Sequence, residues 1–199
     1  MSNGLRERKK AETRAALQDA ALRLAGRHGV DKVSVEAIAE AAGVSPRTFF
    51  NYFSSKEDAI IGMSPALRPP VAEYLHARPA DEPPLEALRQ ALQASVERLQ
   101  EDPDRWTIRR RLVQDHPGLA SRYAARLAET ERDLVEEVGR RLGLDPERDT
   151  YPATVVGAAL AATRVAMSIW QGHDDPSGLA VLIDEVFVHL ASGLPPPPG

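Results

Sequence analysis

Apolar residues recur along this chain at helical spacing. Leu17, Ala20, Ala21 and Leu24 follow an i, i+3, i+4, i+7 pattern, and Val35, Ile38, Ala39 and Ala42 repeat it. Longer stripes run through Leu85, Leu88, Leu92, Val96 and Leu99, then Tyr123, Leu127, Leu134, Val138 and Leu142, then Leu179, Leu182, Ile183, Val186 and Leu190. The spacing predicts helices over 6–27, 35–42, 46–52, 56–63, 85–101, 105–115, 118–142, 152–171 and 177–191. No stretch sustains the alternation and turn pairs of strands, so an all-α fold is expected.

Breakers divide the pattern. Six prolines between Pro65 and Pro84 mark a boundary, and Pro195 to Pro198 form a Pro-rich tail over 195–199. The stretch from Ala153 to Ala162 is weakly polar, is cut off by Thr163 and Arg164, and is too short to cross a bilayer. The N-terminus has no apolar segment of a secretory signal. Cysteine is absent, which excludes disulfides, thiolate catalysis and Cys-containing zinc sites. The formal charge is −4, unevenly spread. Residues 1–56 carry ten Lys and Arg against six Asp and Glu, a net +4, and the remainder carries fifteen against twenty-three, a net −8. A basic head on an acidic body points the head at a polyanion.

The segment VSVEAIAEAAGVSPRTFFNYFSSK, from Val33 to Lys56, holds two short helices with separate start signals. Ser34 is placed to cap the first, with Val33 and Ile38 at the spacing of a hydrophobic staple. Gly43 ends it at a sharp turn. Ser45 is placed to cap the second, Pro46 takes its first position, and Val44 and Phe49 repeat the staple. Ser54 and Glu57 give the next helix a capping-box pattern. Two short helices around a Gly-containing turn make a helix-turn-helix. Ile38, Ala39, Ala42, Val44, Phe49 and Phe53 form its inner face, leaving Ser45, Arg47, Thr48, Asn51 and Tyr52 with no core role. That mix suits a DNA groove, because Arg bonds guanine edges, Asn bonds adenine, and Thr offers a hydroxyl and a methyl. Tyr52 and Lys56 are placed for backbone phosphates.

RAALQDAALRLAGRHGVDKVSVEAIAEAAGVSPRTFFNYFSSKEDAI, from Arg14 to Ile60, resembles the N-terminal DNA-binding domain of the TetR family of bacterial repressors. The resemblance implies an N-terminal three-helix helix-turn-helix domain (1–56), a larger helical effector-binding and dimerisation domain (57–194), and a cytoplasmic homodimer reading a near-palindromic operator. It implies 46–52 as recognition helix, with Thr48, Phe50, Tyr52 and Lys56 at the usual DNA-contacting places and Ser45, Pro46 and Arg47 at the groove-entering end. Many members have Tyr where this chain has Phe50, so a phosphate bond from that position is lost and contact with a thymine methyl is expected instead. The stretch 105–191 also resembles a subgroup common in actinobacteria, some of whose members bind acyl thioesters.

The body has no nucleophile motif, no Gly-rich phosphate loop and no convergent metal ligands, so no enzyme activity, metal or cofactor is expected. His173 beside Asp174 and Asp175 reads as a solvated loop rather than a metal site. The family implies a small-molecule pocket and a dimer interface. Helix 152–171 carries small residues (Ala153, Gly157, Ala158, Ala161, Ala162) that permit close packing, and 177–191 has a broad apolar face, so these two helices are the expected pairing surface. Trp106, Tyr123, Met167 and Trp170 either line a cavity or fill core. Arg109, Arg110 and Arg111 form either a solvated run or, through Arg110, a ligand contact. Arg164 stands out because a charge inside an apolar helix needs a partner or a pocket. The alternative is a DNA-binding dimer whose body pairs subunits or docks proteins without a small effector.

Overall fold

A computed structural model describes residues 2–62, 71–100, 103–170 and 178–196. The described residues form α-helices without strands. In order these are α1 (Ser2–His28), α2 (Val35–Ala41), α3 (Pro46–Phe50), α4 (Lys56–Ile61), α5 (Val71–His76), α6 (Pro84–Gln100), α7 (Pro103–Asp115), α8 (Pro117–Leu142), α9 (Thr150–Trp170) and α10 (Leu179–Ala191), with a 3₁₀ turn at Val30–Lys32. Proline opens α3, α6, α7 and α8, where its missing N–H costs no helical bond.

Contacts divide the chain into two compact units, Met1–Arg68 with Asp104–Leu127, and Pro69–Pro103 with Ala128–Gly199. The first is wider than residues 1–56, because α7 and the start of α8 complete its core. Leu17, Ile38, Phe49 and Ile60 from the N-terminal helices share one apolar cluster with Leu112 and Leu119. Leu17, Ile38, Phe49 and Leu119 are fully buried, each a side chain whose burial stabilises by about 1.5–3 kcal/mol. Polar ties hold the same elements. Arg105 pairs with Asp19 at 3.6 Å, Arg122 pairs with Asp58 at 3.0 Å, and His116 Nε2 meets the Asp31 carboxylate at 3.0 Å.

In the second unit α6 packs on α5, α9 and α10, and α9 packs on α10. Leu88, Leu134, Leu179 and Ile183 are fully buried there. Arg89 of α6 bridges Glu86 on its own helix and Asp184 of α10. The guanidinium hydrogen bonds pull the Glu86 carboxyl down to about 2, well below its ordinary value.

Three expectations change. The proline cluster contains a helix, α5, which the breaker pattern hides. Leu75 is fully buried, and Arg141 donates to the carbonyls of Leu75, Arg78 and Pro79, so tertiary contacts hold a helix too short to stand alone. α4 is capped by Ser55, which accepts from Asp58 N at 3.2 Å, while the Ser54 hydroxyl instead donates to the Asp58 carboxylate. The helix expected over 152–171 forms as α9 with Thr163 and Arg164 inside it, and what changes is its reach. The Thr163 hydroxyl donates to Ala159 O at 2.8 Å within the helix. At 21 residues α9 is therefore long and apolar enough to cross a membrane by length and composition alone, although Val156, Ala159 and Ala166 along it are fully buried in the fold. The expected tail at 197–199, the residues around Pro65 and the His173–Asp174–Asp175 group lie outside the described residues.

Candidate nucleic-acid interface

The turn between α2 and α3 is set by its caps. Ser34 accepts from Ala37 N at 3.1 Å, and Ser45 accepts from Thr48 N at 3.1 Å, each satisfying an otherwise orphan donor of a first helical turn. Between them Gly43 adopts φ +69, a left-handed conformation that side chains disfavour, and Val44 N returns to Ala39 O at 2.9 Å. Phe49 is fully buried and stacks edge-on against Phe50 at 5.5 Å and tilted against Phe53 at 5.6 Å. That anchor fixes which edge of α3 faces outward.

On the outward edge Ser45, Pro46, Arg47, Phe50 and Asn51 are exposed, and Phe50 is 58% accessible, unusual for a large apolar ring. Arg47 is the only cation on α3. Thr48 is half-buried and its hydroxyl lies 2.9 Å from that of Ser45, so the pair is held rigidly by the cap. α3 ends at Phe50, and Asn51 and Tyr52 lie in the turn beyond it rather than on the helix.

Two expected phosphate contacts turn out to have structural work as well. Tyr52 is half-buried against the core, so it is not without a packing role. Arg14 of α1 lies over its ring at 5.4 Å and over Phe53 at 5.2 Å, and donates to Tyr52 O at 3.0 Å. Burial lowers the Arg14 pKa below the usual guanidinium value. Lys56 Nζ donates to Val30 O at 2.8 Å and Val33 O at 2.9 Å, which ties the start of α4 to the turn before α2. Two of its three donors are thus used inside the protein. Neither role is visible in local spacing, because the partners lie 38, 26 and 23 residues away.

Known proteins resemble this chain over its N-terminal and C-terminal parts alike. Residues 17–60 match the family model "Bacterial regulatory proteins, tetR family", and residues 82–195 match the model "MftR C-terminal domain". The transcriptional regulator TcmR of Streptomyces glaucescens is 36% identical over 195 residues, covering 94% of this chain and 86% of the relative. The chain belongs to the TetR family. The transcriptional repressor KstR of Rhodococcus jostii is 30% identical over 172 residues, covering 85% of this chain and 72% of that one. Among solved structures, the fatty acid degradation regulator FadR of Bacillus halodurans shares the fold with a TM-score of 0.62 at 22% identity, covering 92% of this chain and 96% of that chain. Thermus thermophilus FadR, solved with lauroyl-CoA, has a TM-score of 0.54 at 21% identity, covering 94% and 99%. TetR-family members are transcriptional regulators, not enzymes.

The residues expected to line an effector pocket fall in both units. Trp106, Arg110 and Tyr123 belong to the first, and Arg164, Met167 and Trp170 to the second. The three consecutive arginines of α7 diverge as helical geometry requires. Arg109 donates to Ile60 O at 3.3 Å and lies against Gly62, the left-handed cap of α4. Arg111 is exposed and pairs with Asp115 at 3.6 Å. Arg110 lies between, half-buried, with a buried Nε that has no hydrogen-bond partner among the described residues, as has the buried Trp106 Nε1. The reasoning that singles out Arg164 does not hold, because that residue is exposed and water solvates its charge. Trp170 is buried and Met167 half-buried. A cavity of about 240 Å³ in the second unit is lined by Tyr74, Arg78, Gln90 and Gln93 with three alanines, none of them an expected ligand residue.

α9 and α10 carry exposed apolar residues. Val165, Ile169, Val181 and Val188 are 51%, 43%, 67% and 65% accessible.

Proposed function

We propose that this TetR-family chain is a cytoplasmic homodimeric repressor that reads a palindromic operator through α3 and is released by a small, largely apolar ligand. One observation carries the DNA reading. The buried Phe49 and the Ser45 cap lock α3 so that Pro46, Arg47, Phe50 and Asn51 stand outward together. Arg47 and Asn51 supply base contacts, Ser45, Thr48 and Phe50 contact groove-floor edges or a thymine methyl, and Tyr52 and the remaining donor of Lys56 reach phosphates. The operator-reading helices lie within 1–56, completed as a compact unit by α7 and the start of α8, and 57–194 also serves pairing and the effector. Pairing is through the exposed valines of α9 and α10, and a dimer reading two half-sites needs its two α3 helices about 34–36 Å apart on successive major grooves.

The effector reading is supported by Trp106 and Arg110. A buried N–H without a partner is costly, and a ligand carbonyl or carboxylate would satisfy both. T. thermophilus FadR was solved with lauroyl-CoA, which makes an acyl thioester the first probe. Ligand binding weakens DNA binding only by its differential affinity for the two conformers.

The test is selection of duplexes from a random pool by the full-length protein, followed by affinity measurement with and without lauroyl-CoA. Arg47→Ala is expected to relax base preference, by about 1–3 kcal/mol at one position. Failure to select any duplex overturns the DNA reading. An acyl ligand that binds without changing DNA affinity overturns the release mechanism and favours a body that only pairs subunits.

A further inference from the structure

We propose that Arg164 of α9 and Glu185 of α10 form reciprocal ion pairs across the dimer axis, Arg164 of each copy with Glu185 of the partner subunit, and that this pair decides which chain is accepted as partner. This rests on the reading that α9 and α10 pair subunits, and it names the residues that set register and identity there.

The charges on these two helices are sorted. Arg164 is the only charged residue of α9 and is exposed. It forms no ion pair among the described residues. α10 carries two carboxylates, and Asp184 is taken by Arg89 of α6. Glu185 is exposed, and its ionic neighbour among the described residues is His189 on its own helix, 3.9 Å away and charged only when protonated.

Their surroundings are apolar. At 3.6 residues per turn Val181, Glu185 and Val188 fall within an arc of about 60° on α10, so the carboxylate stands inside the valine stripe. On α9 Arg164 borders the exposed face that holds Val165 and Ile169. In a single chain water solvates both charges. A second subunit that covers the valines removes that water, and a carboxylate enclosed there without a cation opposes association. Arginine suits the task, because its planar guanidinium meets a carboxylate with two parallel donors and is weakly hydrated.

Height along the helices agrees. α9 packs on α10, and helices joined by a short connection, here 171–178, pack antiparallel. Arg164 lies six residues before the end of α9 at Trp170, and Glu185 lies six residues after the start of α10 at Leu179. Both therefore stand about 9 Å from the bend at 1.5 Å per residue. A twofold axis crossing at this height exchanges what lies above it with what lies below. It brings Arg164 of one copy level with Glu185 of the partner subunit, and Val181 level with Val188 of the partner subunit to within a residue. Charged and apolar positions are thus self-complementary about one point, as an isologous interface requires.

The test is sedimentation of the fluorescently labelled full-length protein across a dilution series. Arg164→Glu and Glu185→Arg each set like charges against one another twice per dimer, so each alone is expected to raise the homodimer Kd at least about tenfold. Mixed in equal amounts, the two variants restore opposite charges at both contacts. A heterodimer of wild-type affinity should then form at concentrations where each variant alone is monomeric. Both substitutions in one chain should recover the homodimer and reject the wild-type chain. Single variants that dimerise like wild type overturn the pair and leave pairing by the valines intact. Single variants that weaken the dimer without rescue on mixing overturn it too, because a pair within one chain is lost equally in the mixture. A wild-type chain that stays monomeric removes the parent reading and this one with it.

Discussion

Replacing Lys56 with methionine keeps the aliphatic stem and deletes the ammonium that bonds Val30 O and Val33 O at 2.8 and 2.9 Å. Hydrogen bonds from a charged donor contribute about 1.5–3 kcal/mol each when shielded. Two considerations reduce that here. Lys56 is only half-buried, so water replaces part of the loss. Val30 O also keeps its backbone donor, Val33 N, at 3.3 Å. A net destabilisation of about 1–2 kcal/mol follows, and for a chain of this size each kcal/mol moves the midpoint by about 2–4 °C. Differential scanning calorimetry without DNA should therefore show a drop of about 4 °C, little changed by salt. DNA binding measured well below the midpoint should lose about 0.9 from the salt slope for each phosphate that the third donor reaches. A variant whose midpoint stays within about one degree of wild type, with only the slope altered, refutes the internal role and returns Lys56 to a simple surface contact.

Gly62→Ala should be more damaging than its surface position implies. Its φ is +67 and a Cβ would stand 2.6 Å from Arg109 Nη2, so thermal unfolding should show a loss of about 1–2 kcal/mol or more. Glu86 has its carboxyl pulled to about 2 by Arg89, so its stabilisation is full above the ordinary carboxylate range and is lost as pH falls from about 4.5 towards 2. Its side chain is 41% accessible, so the effect is at most about 1 kcal/mol, and Glu86→Gln should flatten that part of an acid-unfolding curve. Val181→Glu with Val188→Glu should give monomers by sedimentation without loss of helical signal, and a dimer that persists would place pairing elsewhere. Phe50→Ala should weaken operator binding while leaving the midpoint unchanged, since the ring is 58% accessible; a fall in the midpoint would make it a packing residue instead.

Much of the DNA edge is readable from local signals. Ser34, Gly43, Ser45 and Pro46 act within a turn of themselves, so spacing alone reports them. What escapes depends on long-range partners. Lys56 reads as a surface cation until Val30 O and Val33 O come within reach of it. Tyr52 reads as solvent-facing until Arg14 covers it. α5 hides among prolines because its support comes from Arg141, 66 residues away. Ser54 and Ser55 both suit a cap by composition, and backbone geometry selects the second. Arg109, Arg110 and Arg111 are indistinguishable as letters, and the 100° step of a helix sends them to three environments.

Leu112 and Leu119 sit in the same apolar cluster as Ile38 and Phe49, although more than sixty residues of chain separate the two pairs. The operator-reading head is therefore not a detachable module. A fragment ending near residue 62 would bare the seat those leucines occupy, and a chimera spliced there would inherit a foreign lining for half of that seat. Swapping binding specificity between relatives should succeed when 104–127 travels with the donor's front end, and should otherwise yield insoluble or partly unfolded hybrids.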